Sequence, residues 1–275
     1  MAEQTISLVI PAWNEAAYLP RLLDSVDVAK ANYRGGPDAI EVIVADNNSD
    51  DETAAIAHNR GCKVVTITER CIACVRNGGA AEATGDLLTF ADADFRIDPE
   101  TFNYVDELMR RGDFIGGATG LTIERWSWGI RVTVFILMRC VGFLGWIGGV
   151  WFCRRADFDQ VGGFDESVVV GEDTLFLRHL RKLGRSRRPR QKMADQYTPR
   201  RLGLQPAFAI NSTRKFDERG DWHVFVDVAK YVPLTLFRWN TLVEYADRYW
   251  YKDREIAHNP LPAETDPCHL SGHQS

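Results

Sequence analysis

The run Ala83-Thr84-Gly85-Asp86-Leu87-Leu88-Thr89-Phe90-Ala91-Asp92-Ala93-Asp94 carries a short apolar strand into a pair of carboxylates. Leu87–Ala91 is bounded by Gly85-Asp86 on one side and by Asp92-Ala93-Asp94 on the other, as a buried strand would be. Two carboxylates two positions apart at a strand end can aim their oxygens at one hard cation. Water and substrate phosphates typically complete such an ion's shell. Alone, an Asp-x-Asp is a weak signal, because solvated acidic turns are common. Its weight comes from its neighbours.

Upstream, short apolar runs alternate with helical patterns. Ile6–Ile10 is a strand, and Pro20–Ala29 a helix with Leu19, Leu22, Leu23 and Val26 on one face. Ile40–Ala45, rich in β-branched residues, is the second strand. It ends at Asp46-Asn47-Asn48-Ser49, and a helix follows from Asp51 to Arg60, stopped by Gly61. Val64–Ile67 is a third strand, followed by a small-residue helix from Ile72 to Ala83. Strands separated by helices of this length predict right-handed crossovers and a mostly parallel sheet, with ligands beyond the carboxyl ends of its strands. Trp13-Asn14-Glu15 follows the first strand, Asp46 the second and Asp92/Asp94 the fourth, so these polar residues should converge on one sheet edge.

The second half is less regular. Pro99–Arg110 is helical with Phe102, Val105, Leu108 and Met109 on one face, Gly148–Cys153 is a strand, and Asp173–Leu183 is a helix. Arg185 to Arg201 is basic and contains proline, which predicts a loop. The tail from 253 to 275 has little apolar material and is expected to be disordered.

Composition sets outer limits. The 275 residues are 45% hydrophobic and 26% charged, which argues against a disordered chain. A net charge of -5 gives no reason to expect nucleic acid as a partner. The first apolar run is too short for a secretory h-region, so the six cysteines are read as reduced thiols of a cytoplasmic protein. Cys71 and Cys74 form a CxxC with no second half at finger-like spacing, so no metal role is assigned to it. From Ile130 to Phe152 the chain is apolar and aromatic but interrupted by Arg131 and Arg139. Its longest uncharged run falls short of the ~20 residues a spanning helix needs. An interfacial helix and a core helix fit that pattern equally, and the aromatic stretch 231–251 raises the same question. The ten Lys or Arg residues from Arg178 to Arg201 form a local basic patch, either a solvated surface or a contact for anionic lipid headgroups.

Taken in order, Leu8 to Glu15, Val44 to Thr53, Arg76-Asn77-Gly78-Gly79, Ala83 to Asp94, and Gly162-Gly163-Phe164-Asp165-Glu166 before Gly171-Glu172-Asp173 resemble the motifs of family 2 glycosyltransferases. The likeness runs from about residue 6 to about residue 185. It implies a GT-A (nucleotide-diphospho-sugar transferase) fold, an α/β Rossmann-like sheet flanked by helices. One such domain would span residues 1–252, with a nucleotide-binding half at 6–98 and an acceptor-side half at 99–252. It also implies an inverting, single-addition transfer of a sugar from a UDP- or GDP-linked donor to a hydroxyl acceptor, assisted by Mg²⁺ or Mn²⁺. By position, Pro11, Ala12, Trp13 and Glu15 would line the nucleotide pocket. Asp46 would accept from the base, and Arg76 would lie near the nucleotide or its phosphates. Asp94 would be the more direct metal ligand, with Asp92 sharing the metal or touching the ribose. The catalytic base would lie in Glu172-Asp173, with Asp173 preferred. Trp13 suits core packing as well as base stacking, and Glu172-Asp173 also suits a helix N-terminus.

The sequence departs from the family in one respect. It has no Gln-x-x-Arg-Trp motif, which processive members carry, and that favours single addition. Ser212-Thr213-Arg214-Lys215-Phe216 resembles a late segment of small bacterial members in which Arg214 and Lys215 could meet the diphosphate. His223 is a candidate further metal ligand. A lipid-linked acceptor and peripheral contact with the inner face of a membrane follow from the aromatic stretches as an expectation. The alternative is a GT-A-like module that binds a nucleotide or a membrane partner without catalysis.

Overall fold

A computed structural model describes residues 4–143, 148–168, 171–223 and 225–226, with side chains omitted for 137–143. The stretches 231–251 and 253–275 lie outside the described residues. Strand β1 (Ile6–Ala12) is buried along its whole length, and its side chains divide by period two. Ile6, Leu8 and Ile10 join one hydrophobic cluster, whereas Val9 joins another on the opposite face. A strand covered on both faces needs helices on both, and the chain supplies them. Helix α1 (Leu19–Asn32) buries Leu19, Leu22, Leu23 and Val26, the face its periodicity predicts. It shares the first cluster with α2 (Thr53–Asn59) through Ala57 and with α4 (Thr101–Arg110). On the other face lie α3 (Ile72–Ala81), α6 (Arg155–Val161) and α7 (Glu172–Ser186).

The main sheet adds β2 (Ile40–Asp46), β3 (Lys63–Thr66), β4 (Leu87–Phe90), β6 (Phe114–Ala118), β8 (Trp151–Arg154) and β9 (Lys192–Ala194), in the order β3-β2-β1-β4-β8-β6-β9. The pairs β1–β2, β2–β3 and β1–β4 are parallel, while β8 runs antiparallel to both of its neighbours. A small second sheet joins β5 (Phe95–Arg96), β10 (Phe208–Asn211) and β7 (Gly120–Ile123). Chain order reverses at β1, with β2 on one side and β4 on the other. Their carboxyl ends therefore open a crevice, the position where α/β sheets bind ligands.

Close approach of α3 to the sheet depends on Gly79. A Cβ there would stand 2.5 Å from Val9 Cγ1 and 3.1 Å from Ala45 Cβ. Two sequence expectations change. Residues 185–201 are not all loop, since they contain β9 and most of the short α8 (Thr198–Leu202); β9 pairs with β6, which periodicity alone does not reveal. The strand expected from Gly148 begins at Trp151, because Gly149 takes φ 110° in a turn that Val150 and Thr119 close by mutual hydrogen bonds. The apolar stretch from Ile130, left open between a core and an interfacial helix, enters α5 (Trp128–Phe143); among its described side chains Ile130 and Thr133 are buried, whereas Phe135 and Ile136 are exposed. The last helix is α9 (Arg214–Arg219).

Candidate active site

The crevice is built by lacing together the loops that leave β1 and β2. Asn14 and Asn48 both adopt left-handed backbone, at φ 50° and 56°, which asparagine tolerates better than most residues. The Asn14 N–H donates to Ser49 Oγ at 3.0 Å, and Asn14 Oδ1 accepts from the Asp50 N–H at 2.9 Å. Glu15 and Ala16 N–H groups donate to Thr53 Oγ1 at 2.8 Å and Asp51 Oδ2 at 3.0 Å. Asn47 Nδ2 then ties down the exit of β3 through the carbonyls of Ile67 and Glu69 at 2.7 and 2.9 Å. Of these residues, the sequence assigns a site role only to Glu15, and places Asn14 beside it at the sheet edge. The Asn-Asn-Ser-Asp-Asp composition signals a turn but not the pairing.

Pro11 and Ala12 are buried at the end of β1. Trp13 follows them, buried, with the Arg70 guanidinium 5.6 Å from its ring centre. Asp46, the last residue of β2, is buried as well. Its Oδ2 accepts from the Ser49 N–H at 3.2 Å, but Oδ1 has no hydrogen-bond partner among the described residues. A buried carboxylate oxygen without a donor is costly, so an unsatisfied one beside a crevice is a place for a ligand's N–H or O–H.

Asp92 and Asp94 leave β4, their side chains 35% and 18% exposed. Each is met by an arginine. Arg76 of α3 is buried; its Nη2 donates to Asp92 Oδ1 at 3.0 Å, and its Nη1 donates to Glu172. The guanidinium lies 4.8 Å from the Trp151 ring centre and 5.4 Å from that of Phe164, two contacts that sequence reasoning missed. Burial alone would lower the Arg76 pKa, but Asp92 and Glu172 outweigh it and hold the group charged. Burial raises the Glu172 carboxyl, the Arg76 charge pulls it back, and Asp173 adds to the rise. Thus Arg76 meets carboxylates directly, joining the acidic pair of β4 to that of α7. Asp173 is less buried than Glu172, and its Oδ1 accepts from the Thr174 N–H at 2.6 Å and from Thr174 Oγ1 at 3.2 Å.

Arg214 approaches from the start of α9. Nη1 and Nη2 donate to the two oxygens of Glu15 at 2.9 and 3.3 Å, and Nη2 lies 3.5 Å from Asp94 Oδ2. Its guanidinium sits 4.5 Å from the ring centre of Tyr18, a residue sequence reasoning did not select. The Nδ1 of His223 is 2.9 Å from the Gly220 carbonyl, and its ring packs edge-on to Phe216. Among the described residues no three His, Cys, Asp or Glu side chains cluster as a complete metal site. The Cys71-x-x-Cys74 motif instead caps α3, with Cys71 Sγ accepting from the Cys74 N–H at 3.2 Å.

Residues 7–132 match the family model described as glycosyl transferase family 2. This segment is a family 2 glycosyltransferase domain. Over 106 residues the chain is 37% identical to the 4,4'-diaponeurosporenoate glycosyltransferase of Staphylococcus haemolyticus, covering 35% of this chain and 26% of the relative. Over 142 residues it is 30% identical to an uncharacterized glycosyltransferase of Mycobacterium tuberculosis, covering 50% and 59%. The chain thus spans less than two thirds of each of these curated relatives. In fold, the glycosyltransferase domain and its surroundings resemble S. aureus TarS 1-349 in complex with UDP, at a TM-score of 0.55 and 19% identity over 78% of this chain and 62% of that one. They also resemble the mannosyltransferase PcManGT from Pyrobaculum calidifontis in complex with GDP-Man and Mn2+, at 0.55 and 17% over 77% and 57%. The expected GT-A fold holds, with its mostly parallel sheet flanked by helices.

Proposed function

We propose that the chain transfers a sugar from a UDP- or GDP-linked donor to a hydroxyl acceptor, one addition at a time and with inversion. The observation that carries this reading is the gathering of three acidic elements at one sheet edge: Asp46 with its unpartnered oxygen, the Asp92/Asp94 pair, and Glu172-Asp173. Pro11, Ala12, Trp13 and Glu15 form the wall on which the nucleotide rests, and Asp46 Oδ1 accepts from the base. Asp94 and Asp92 offer hard, partly exposed oxygens suited to Mg²⁺ or Mn²⁺, with water and donor phosphates filling the remaining positions. Such an ion, when bound, offsets the negative charge that builds on the departing nucleotide diphosphate. Asp173 takes the proton from the acceptor hydroxyl as the glycosidic bond forms. Glu172, locked to Arg76, orients that helix terminus, and Arg76 holds Asp92 in place. Direct attack by the acceptor gives the inversion, and the missing Gln-x-x-Arg-Trp motif supports single addition.

The acceptor is proposed to be lipid-linked and met at the inner face of a membrane. Among the described residues no helix is long and apolar enough to cross one. A surface patch supports peripheral contact: Trp128 is 83% and Phe135 68% exposed, with Trp126 and Ile136 nearby in sequence and Trp222 against Gly129. Tryptophans with an arginine over one of them, Arg131 at 5.7 Å from Trp126, suit a headgroup boundary. Sedimentation with anionic liposomes, lost in Trp128→Ser/Phe135→Ser, tests this contact; equal sedimentation of both proteins rejects it.

Calorimetric titration with UDP and GDP, each with and without Mn²⁺, tests the donor reading. Fold neighbours solved with UDP and with GDP-Man and Mn2+ make these the first ligands to try. Metal-dependent binding of one nucleotide, weakened by Asp94→Ala, is expected. Binding of neither would reject the transferase reading, while nucleotide binding with no sugar transfer would favour the non-catalytic module.

A further inference from the structure

Arg214 stands where charge must change hands. Its side chain is 9% exposed, and it lies 199 positions from Glu15 in sequence, yet it grips both oxygens of that buried carboxylate and rests on the Tyr18 ring. Its contact with Asp94, at 3.5 Å, is the longest of the three ionic ones. An arginine guanidinium stays cationic throughout the accessible pH range, and this one is fixed by Glu15 on one side and more loosely engaged by Asp94 on the other.

We propose that Arg214 is the resident counter-cation of the Asp-x-Asp pair, so that a divalent ion binds well only when a diphosphate arrives with it. This rests on the donor reading above and adds a rule of assembly to it. A divalent ion reaching Asp94 alone meets a guanidinium already paired with that carboxylate and held in place by Glu15, and the two cations repel. A diphosphate bound at this site would reverse the balance, because its negative charge would offset both cations and would offer Arg214 an anionic partner in place of Asp94. Ion and diphosphate then favour each other's binding by the same factor, as linkage requires. Free metal is kept from occupying the site without donor.

The test reads binding alone, with no turnover. Free Mn²⁺ is measured by its electron paramagnetic resonance signal, with and without the nucleotide diphosphate that the titration above selects. Wild type should bind Mn²⁺ weakly alone and far more tightly with nucleotide. Arg214→Met, which keeps the stem and removes the charge, should bind Mn²⁺ alone about tenfold more tightly, with the nucleotide's enhancement reduced by a similar factor. Arg214→Lys retains a cation near Glu15 and should stay close to wild type, which separates charge from packing if the methionine variant is poorly folded. Unchanged Mn²⁺ affinity in Arg214→Met, or equal tightening in Arg214→Lys, overturns the proposal while leaving the donor reading intact. Failure of wild type to bind Mn²⁺ with either nucleotide rejects the donor reading and this proposal with it.

Discussion

Arg76 and Glu172, 96 positions apart in sequence, form a buried ion pair directly behind the crevice. The same guanidinium reaches Asp92 at 3.0 Å, so one cation ties the end of β4 to the start of α7. The site's acidic groups are thus neighbours through a shared counter-charge, and their geometry depends on it.

Removing that counter-charge should unfold as well as inactivate. Arg76→Met strands a buried carboxylate, and breaking a buried pair from one side costs about 3–5 kcal/mol. Urea denaturation of the variant is expected to show a loss of that size. A loss below about 1 kcal/mol would mean that Glu172 finds water or another donor.

Glu172 also sets a pH dependence. Its folded-state pKa lies above the ordinary value of 4.5, so at pH values between the two the folded protein holds a proton that the unfolded chain has released. Its contribution to stability should therefore fall as pH rises from about 4.5 through the raised value, and stay constant above it. Glu172→Gln has no such proton to lose. The difference in melting temperature between wild type and this variant should shift against wild type across that window, and parallel curves would contradict the assignment.

Asp46 should separate binding from stability. Because Oδ1 has no partner among the described residues, Asp46→Asn breaks no bond that the folded chain makes with that oxygen. It places a donor where an acceptor is needed, however. Nucleotide affinity should fall by tenfold or more, about 1.4 kcal/mol, with stability changed by less than about 1 kcal/mol. Calorimetry and denaturant melts on the same preparation decide it. A large loss of stability with intact affinity would make Asp46 a structural residue.

Gly79 tests the packing beneath the site. Gly79→Val would push α3 away from Val9 and Ala45, and overpacking of this kind costs about 1–3 kcal/mol. Since α3 carries Arg76, nucleotide affinity should drop with it. Full stability in this variant would show that the helix can shift on the sheet.

How much of this could be read beforehand follows from the range over which each signal acts. Apolar periodicity is local, so the faces of α1 and α4, the course of β1 and the acidic ends of β2 and β4 were legible in single segments. Parallel crossovers then brought Trp13, Asp46 and Asp92 to one edge, because a chain of alternating strands and short helices has few other ways to bury both faces of a sheet. Partners across long separations were not legible. That Arg76 faces Glu172, that Arg214 grips Glu15, and that the basic stretch after α7 supplies β9 depend on how loops and helices settle against one another. A charged residue carries no local mark of its partner. Residue order sets which side chains seek burial or an opposite charge, and only the packed fold decides which of them meet.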